Sequence, residues 1–63
     1  MYKIYAKYRD EADLKDTDVA EATGVSKATL SQWKHGKYTP KADKLLKIAR
    51  LLHIPVETLI EGE

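Results

Sequence analysis

The sequence predicts an all-α fold, a compact bundle of five short helices. Apolar residues recur mostly three or four positions apart, which is the spacing of one helical face. No stretch shows the alternation of apolar and polar residues, or the Asn-Gly turn, that is typical of a β-hairpin. A chain of 63 residues has room for one hydrophobic core, so we expect a single domain over residues 1–63.

The first helix is expected over about residues 2–11. Three tyrosines of this segment, Tyr2, Tyr5 and Tyr8, recur at helical spacing with charged residues between them. We expect them to pack as an apolar row whose hydroxyl groups reach water. The polar stretch that follows predicts a connection, in which Leu14 is the one large apolar residue.

Two further helices are expected in close succession. The second begins near Asp16, with Asp16 or Thr17 as its N-cap, because short polar side chains bond the free backbone N–H groups there. Gly24 ends it in the left-handed conformation, which glycine adopts without strain. Ser26 then predicts the N-cap of a third helix over residues 27–34.

The last two helices are delimited by prolines. The fourth is expected to start at Pro40 or Lys41 and carries the longest continuous apolar face of the chain, formed by Leu45, Ile48, Ala49 and Leu52. Pro55 predicts the first turn of a short fifth helix. The apolar residues of that helix, which would complete the core or form part of a dimer face, are Val56, Leu59 and Ile60.

The net charge of +1 hides an uneven distribution of charge. Over residues 27–50, seven basic residues stand against Asp43 as the one acid, which gives a net charge of +6. Residues 10–21 carry six acids against Lys15, which gives −5. A basic middle beside an acidic segment favours a polyanionic partner.

Residues suited to catalysis or to a cofactor site do not occur in a suitable pattern. The chain has no Cys, and His35 and His53 are isolated from other potential metal ligands. No Ser, His and Asp are spaced as a nucleophile with its base, and no glycine-rich phosphate-binding motif occurs. We therefore expect no enzyme activity, metal, cofactor or small-molecule ligand. Without a long apolar run or a signal peptide, we expect no membrane association and a cytoplasmic location.

Residues 16–34 carry the pattern of a helix-turn-helix. A connection of only a few residues forces two short helices to cross steeply. A small residue, Ala20, is needed where they approach, and Gly24 supplies the sharp turn. Because Trp33 shares the helical phase of Leu30, we expect it in the core and not stacked on a base. The residues expected to hold the motif together are Val19, Ala20, Gly24, Val25, Leu30 and Trp33.

Several runs of the sequence together match a known family. They are Val19-Ala20, Thr23-Gly24-Val25-Ser26, Thr29-Leu30-Ser31-Gln32-Trp33-Lys34, Gly36-Lys37, Thr39-Pro40-Lys41, Lys44-Leu45-Leu46-Lys47-Ile48-Ala49, Ile54-Pro55-Val56 and Leu59-Ile60. In these residues and their spacing, over about residues 2–61, the chain resembles the lambda-repressor-like, Xre-type DNA-binding domains. The resemblance implies a five-helix fold that places its third helix, about 27–34, in the major groove of double-stranded DNA.

The resemblance also implies which residues contact DNA. Base readers are expected at Lys27, Ala28 and Gln32, and their chemistry suits guanine, a thymine methyl group and adenine respectively. The residues expected at phosphates are Ser26, Thr29, Lys34, Lys37, Tyr38, Thr39 and Lys41. The alternatives are that Ser26 only caps the third helix and that the lysines and Gln32 are only solvated surface residues.

One pair of residues departs from the family pattern. Lys15-Asp16 stands where relatives often carry Thr followed by Gln. An acid at that place would repel a nearby phosphate, which argues against the contact that the second helix often makes in the family.

The function expected from this pattern is that of a transcriptional regulator, a phage or prophage-type repressor that occludes a promoter. One helix-turn-helix reads only a few base pairs, so we expect weak DNA binding by a single copy and a homodimer on a palindromic operator. The alternatives are an antitoxin or restriction-controller type of regulator and a protein-interaction module with the same fold. The chain is expected to be either a small complete regulator or the N-terminal domain of a larger one.

Overall fold

The computed structural model describes residues 2–61, with the side chain of Glu61 excepted, and the all-α fold predicted from the sequence is confirmed. Five helices and no strand occur among these residues. Together they measure 23 × 22 × 19 Å. The helices are α1 (Tyr2–Glu11), α2 (Asp16–Thr23), α3 (Lys27–Lys34), α4 (Ala42–Leu52) and α5 (Val56–Glu61).

The core forms where the apolar faces of the helices meet. The helix α4 packs against both α2 and α5, while α1 lies against α3 and α5. This arrangement buries the apolar face predicted for α4 and leaves its lysines outside or at the edge of the core. The buried apolar residues are Tyr5, Val19, Val25, Leu30, Trp33, Leu45, Ile48, Ala49, Leu52 and Leu59.

The start of α2 differs from the prediction. Its N-cap is Lys15, with extended backbone, and not Asp16 or Thr17. The backbone N–H of Lys15 donates to the carboxylate of Asp18, at 2.9 Å. Asp16 is the first helical residue, and its side chain points to α1 instead of back to the α2 backbone. The start of α4 also lies slightly later than predicted, at Ala42, because Lys41 is its extended N-cap.

The tyrosines of α1 are more deeply placed than the sequence suggests. Tyr5 is fully buried, and its hydroxyl donates a hydrogen bond to Asp16 at 2.6 Å. The expectation that its hydroxyl reaches water is therefore wrong. The reason is that the side chain of Asp16 supplies the bond that water would otherwise make. Tyr2 and Tyr8 are half-buried at the edge of the core.

Two helices end on left-handed residues that are not glycine. Asp13 has φ +60° and His53 has φ +58°. In each case the next residue closes the helix end: the N–H of Leu14 donates to the carbonyl of Arg9, and the N–H of Ile54 donates to that of Ala49, both at 3.0 Å. None of the helices among residues 2–61 has the length and apolar character that crossing a membrane requires.

Candidate nucleic-acid interface

The turn between α2 and α3 is built from three residues with distinct roles. Gly24, at φ +79°, ends α2 and donates its N–H to the carbonyl of Ala20 at 2.9 Å. Val25 is buried between the two helices. Ser26 caps α3 as the sequence predicts, because its hydroxyl oxygen accepts from the N–H of Thr29 at 3.0 Å. The turn thereby fixes the direction in which α3 leaves α2.

The buried Thr23 stabilises this turn by hydrogen bonds to its backbone. The Thr23 hydroxyl donates to the carbonyl of Val19 at 2.7 Å and accepts from the N–H of Val25 at 3.2 Å. Because Val25 is buried, its N–H cannot bond to water, and the Thr23 hydroxyl is the acceptor that it needs. This role of Thr23 was not predicted from the sequence. The tendency of threonine to bond nearby backbone groups was the clue available.

The helix α3 has one face in the core and one face in solvent. Leu30 and Trp33 are buried. The ring of Trp33 packs edge-on against Tyr2, with centroids 5.6 Å apart, and beside Tyr5 at 5.1 Å. Trp33 is thus a core residue that is not available to stack on a base. The exposed residues of α3 are Lys27, Ala28, Ser31, Gln32 and Lys34, and Thr29 is half-buried.

The loop after α3 folds back onto the end of the helix. Gly36, at φ +73°, donates its N–H to the carbonyl of Trp33 at 3.1 Å. The N–H of Lys37 donates to the carbonyl of Gln32 at 2.8 Å. This pair of bonds is the Schellman motif, and it fixes the backbone of Lys37 next to the last turn of α3. The remaining candidate phosphate contacts of the loop, which are all exposed, are Tyr38, Thr39 and Lys41.

The helix α3 and its flanks form a segment without acidic residues. Residues 26–41, which we call the basic segment, contain four lysines and no Asp or Glu. All four lysines are exposed. The lysines attract an anionic partner, and no carboxylate of the segment repels it. A nucleic acid is such a partner, because it presents many phosphates side by side.

The acid that departs from the family pattern lies in a network at the start of α2. One oxygen of Asp16 accepts from the Tyr5 hydroxyl at 2.6 Å and from the Arg9 guanidinium at 2.8 Å. Its other oxygen accepts from the Tyr2 hydroxyl at 3.3 Å. Arg9 forms a second ion pair with Asp10 at 2.9 Å. The Asp16 carboxylate is therefore turned toward α1 and paired with a cation.

The protonation states of this network follow from its hydrogen bonds. Partial burial would by itself raise the pKa of Asp16, but the bonds from Tyr5 and Arg9 and the charge of Arg9 outweigh it and lower that pKa. Burial, together with the bond to Asp16, raises the pKa of Tyr5. Asp16 is thus an anion at neutral pH whose charge Arg9 offsets within the protein.

A profile of a protein family, described as helix-turn-helix, matches residues 6–59. The chain belongs to the Xre/lambda-repressor-like helix-turn-helix family. This helix-turn-helix domain is therefore of the DNA-binding, transcription-regulating class and is not an enzyme.

A curated phage protein is similar to this domain. Over 51 residues the chain is 37% identical to the ImmF control region 10 kDa protein of Bacillus phage phi105. The match covers 81% of this chain and 57% of that protein, so the chain spans little more than half of the relative's length. No solved structure matches the chain significantly.

The residues predicted to contact DNA all lie in one segment of this helix-turn-helix domain. All ten belong to the basic segment, and nine of them are exposed, Thr29 being half-buried. Four of the motif residues are buried in the core, namely Val19, Val25, Leu30 and Trp33. Ala20 is half-buried between α2 and its neighbours, and Gly24 is exposed at the turn. The helix α3 therefore has one face in the core and an opposite face that carries the predicted base readers.

Proposed function

We propose that this domain binds double-stranded DNA sequence-specifically, with α3 in the major groove, and acts as a phage-type repressor by occluding a promoter. The observation that carries this proposal is the exposed, acid-free face of α3 and its loop, opposite a face fixed by Leu30 and Trp33. A helix fits the major groove, where each base pair presents a distinct set of donors and acceptors.

Lys27, Ala28 and Gln32 are the proposed base readers. Lys27 and Ala28 lie in the first turn of α3, directly after the Ser26 cap, and Gln32 lies one turn further on. All three are exposed and none takes part in a side-chain hydrogen bond within the described residues. Lys27 suits the O6 and N7 acceptors of guanine, Gln32 suits N7 and the amino group of adenine, and Ala28 suits the thymine methyl group.

The proposed phosphate contacts flank the readers on both sides. The Ser26 hydroxyl donates to the Thr29 hydroxyl at 2.9 Å, which leaves the hydrogen of Thr29 free for a phosphate. Ser26 itself would contact phosphate by giving up that bond. On the other side, the backbone of Lys37 is already held by its bond to Gln32. The loop and end of α3 contribute Lys34, Lys37, Tyr38, Thr39 and Lys41.

The network at Asp16 supports an approach of DNA to this side of the domain. An unpaired carboxylate at the start of α2 would repel phosphate, but this one is ion-paired with Arg9 and bonded by Tyr5. The repressor role is supported by the similarity to a protein named for a phage control region. A homodimer on a palindromic operator is proposed because two recognition helices about 34 Å apart would read two half-sites.

The test is a selection of bound sequences from a random DNA pool, followed by a salt titration. We expect an enriched palindromic site and a log–log slope of affinity against salt of roughly −0.9 for each phosphate neutralised. A site without two-fold symmetry would contradict the dimer alone. A protein that binds no duplex at low salt, and instead binds another protein through α3, would contradict the proposal as a whole.

A further inference from the structure

The end of the recognition helix carries a histidine whose ring is held in one orientation. The Nδ1 atom of His35 lies 2.8 Å from the carbonyl oxygen of Ser31, one turn earlier. A carbonyl oxygen only accepts hydrogen bonds, so Nδ1 is the nitrogen that carries the hydrogen. In the neutral ring, Nε2 is therefore the nitrogen with a free lone pair.

The same bond places His35 beside the proposed base readers. Ser31 and His35 are both exposed, and Lys27 lies one further turn before Ser31. Residues four apart lie on the same side of a helix. His35 thus extends the row of Lys27 and Ser31 to the far end of α3, away from the core face of Leu30 and Trp33.

The charged groups around His35 are almost all cations. Lys34 precedes it, and Lys37 and Tyr38 follow in the loop. From α1, which packs on α3, Tyr2 and Tyr5 contact the ring of Trp33. Asp16 is hydrogen-bonded to Tyr5 and to Arg9. The acids of α2 nearest in sequence to the turn are Asp18 and Glu21, which are both exposed. Among the described residues no carboxylate forms an ion pair with His35.

A phosphate would change what His35 can do. Phosphate oxygens accept hydrogen bonds, and the neutral ring offers only the lone pair of Nε2, so the two repel. A proton taken from solvent at Nε2 gives the ring a second N–H and a positive charge, while the Nδ1 bond to Ser31 stays intact. The partial negative charge at the C-terminal end of α3 also favours a cation at this position.

We propose that His35 is a further DNA contact of this domain, one that donates from Nε2 to a backbone phosphate only as the imidazolium, so that DNA binding takes up a proton. This inference rests on the proposed placement of α3 in the major groove. It predicts that DNA binding strengthens as the solution becomes more acidic, because the proposed contact requires a proton at Nε2.

The experiment measures anisotropy of a fluorescently labelled mixed-sequence duplex with the 63-residue chain over a range of salt, at about pH 5.5 and at pH 8. One additional cation at a phosphate should steepen the log–log salt slope by about 0.9 at the lower pH. At low salt the affinity should rise about threefold to tenfold. His35→Gln should remove both changes, because glutamine is neutral at either pH.

Two further variants keep the test decisive. His35→Arg should bind at pH 8 with the salt slope that the unmodified chain shows at the lower pH, since arginine stays charged. His53→Asn removes the other histidine, outside the basic segment, and should leave the pH response unchanged. Thermal unfolding of each variant at both pH values shows that the fold persists.

The possible results separate this inference from the proposed function. If His35→Gln keeps the pH response, or if affinity falls as the pH is lowered, the imidazolium contact is wrong while DNA binding stands. If no variant binds the duplex at low salt at either pH, both proposals are wrong.

Discussion

The hydroxyl of Tyr5 donates a 2.6 Å hydrogen bond to the carboxylate of Asp16, and this bond joins the middle of α1 to the first residue of α2. Arg9 reaches the same carboxylate oxygen at 2.8 Å. Tyr5 also packs beside Trp33 of α3. One fully buried tyrosine therefore fixes α1 against both helices of the helix-turn-helix.

Replacing Asp16 by Asn should destabilise the fold. The change leaves Arg9 without its partner in α2 and weakens the bond to a buried hydroxyl, at an expected cost of about 1–3 kcal/mol in the free energy of unfolding. Urea unfolding followed by circular dichroism measures it. Glu21→Gln is the matched control, since it removes one exposed charge from α2 without a hydrogen bond. Equal midpoints for the two variants would show that the network adds no stability.

The same network gives the domain a dependence on acid. The folded-state pKa of Asp16 lies below the ordinary aspartate value, so its contribution to stability is complete above about pH 4 and is lost as the pH falls through the lowered pKa. We expect unfolding midpoints to fall below pH 4 for the unmodified chain and to fall less steeply for Asp16→Asn. Thermal melts from pH 2 to pH 6 check this. Parallel profiles would contradict it.

Thr23→Val should loosen the turn between α2 and α3. The variant keeps the shape of the side chain but leaves the buried N–H of Val25 without its acceptor, at an expected cost of about 1–3 kcal/mol. Thr23→Ser keeps the hydroxyl and should retain that bond, at the smaller cost of a lost methyl group. Denaturant unfolding compares the two. If the serine variant is the less stable of the pair, packing of the methyl group outweighs the hydrogen bond.

Base readers and phosphate contacts should respond differently to mutation. Lys27→Ala and Gln32→Ala should each reduce the preference for the selected site over a scrambled one by about 1–3 kcal/mol. Lys37→Ala should weaken binding to both sequences alike and reduce the salt slope by about one. Lys47→Ala, an exposed lysine of α4 outside the basic segment, is the control for charge alone. Identical behaviour of Lys27→Ala and Lys37→Ala would mean that the two groups are not distinct.

His53→Gly should stabilise the domain. His53 ends α4 at φ +58°, where a side chain costs energy that glycine avoids. We expect a gain of about 0.5 kcal/mol, because the greater freedom of glycine in the unfolded chain cancels part of the benefit. Lys47→Gly, in the middle of α4, should instead destabilise by about 1 kcal/mol. A loss of stability in His53→Gly would show that its ring makes a contact that outweighs the strain.

Local features of the chain were readable from its sequence. The Ser26 cap and the left-handed Gly24 depend on residues within a few positions of one another, so a short stretch of sequence is enough to predict them. The same holds for the two faces of α3, because helical periodicity alone separates Leu30 and Trp33 from Lys27 and Gln32.

Predictions from the sequence were wrong or incomplete where a polar side chain could bond to more than one partner. Asp16 has the chemistry of an N-cap, yet its carboxylate bonds to Tyr5 and Arg9. Those partners lie eleven and seven residues earlier and meet it only because α1 crosses the start of α2. The ring of His35 is similar: the sequence shows an isolated histidine, while the folded chain fixes which nitrogen carries its hydrogen.

The sequence by itself therefore determined the five helices, the helix-turn-helix and the basic segment, since each follows from periodicity, capping and charge over short distances. The tertiary structure alone decided that Asp16 is paired, that Tyr5 is buried and that Thr23 holds the turn. These depend on desolvation: removing a polar group from water forces it to find a protein partner, and packing of the helices decides which partner is within reach.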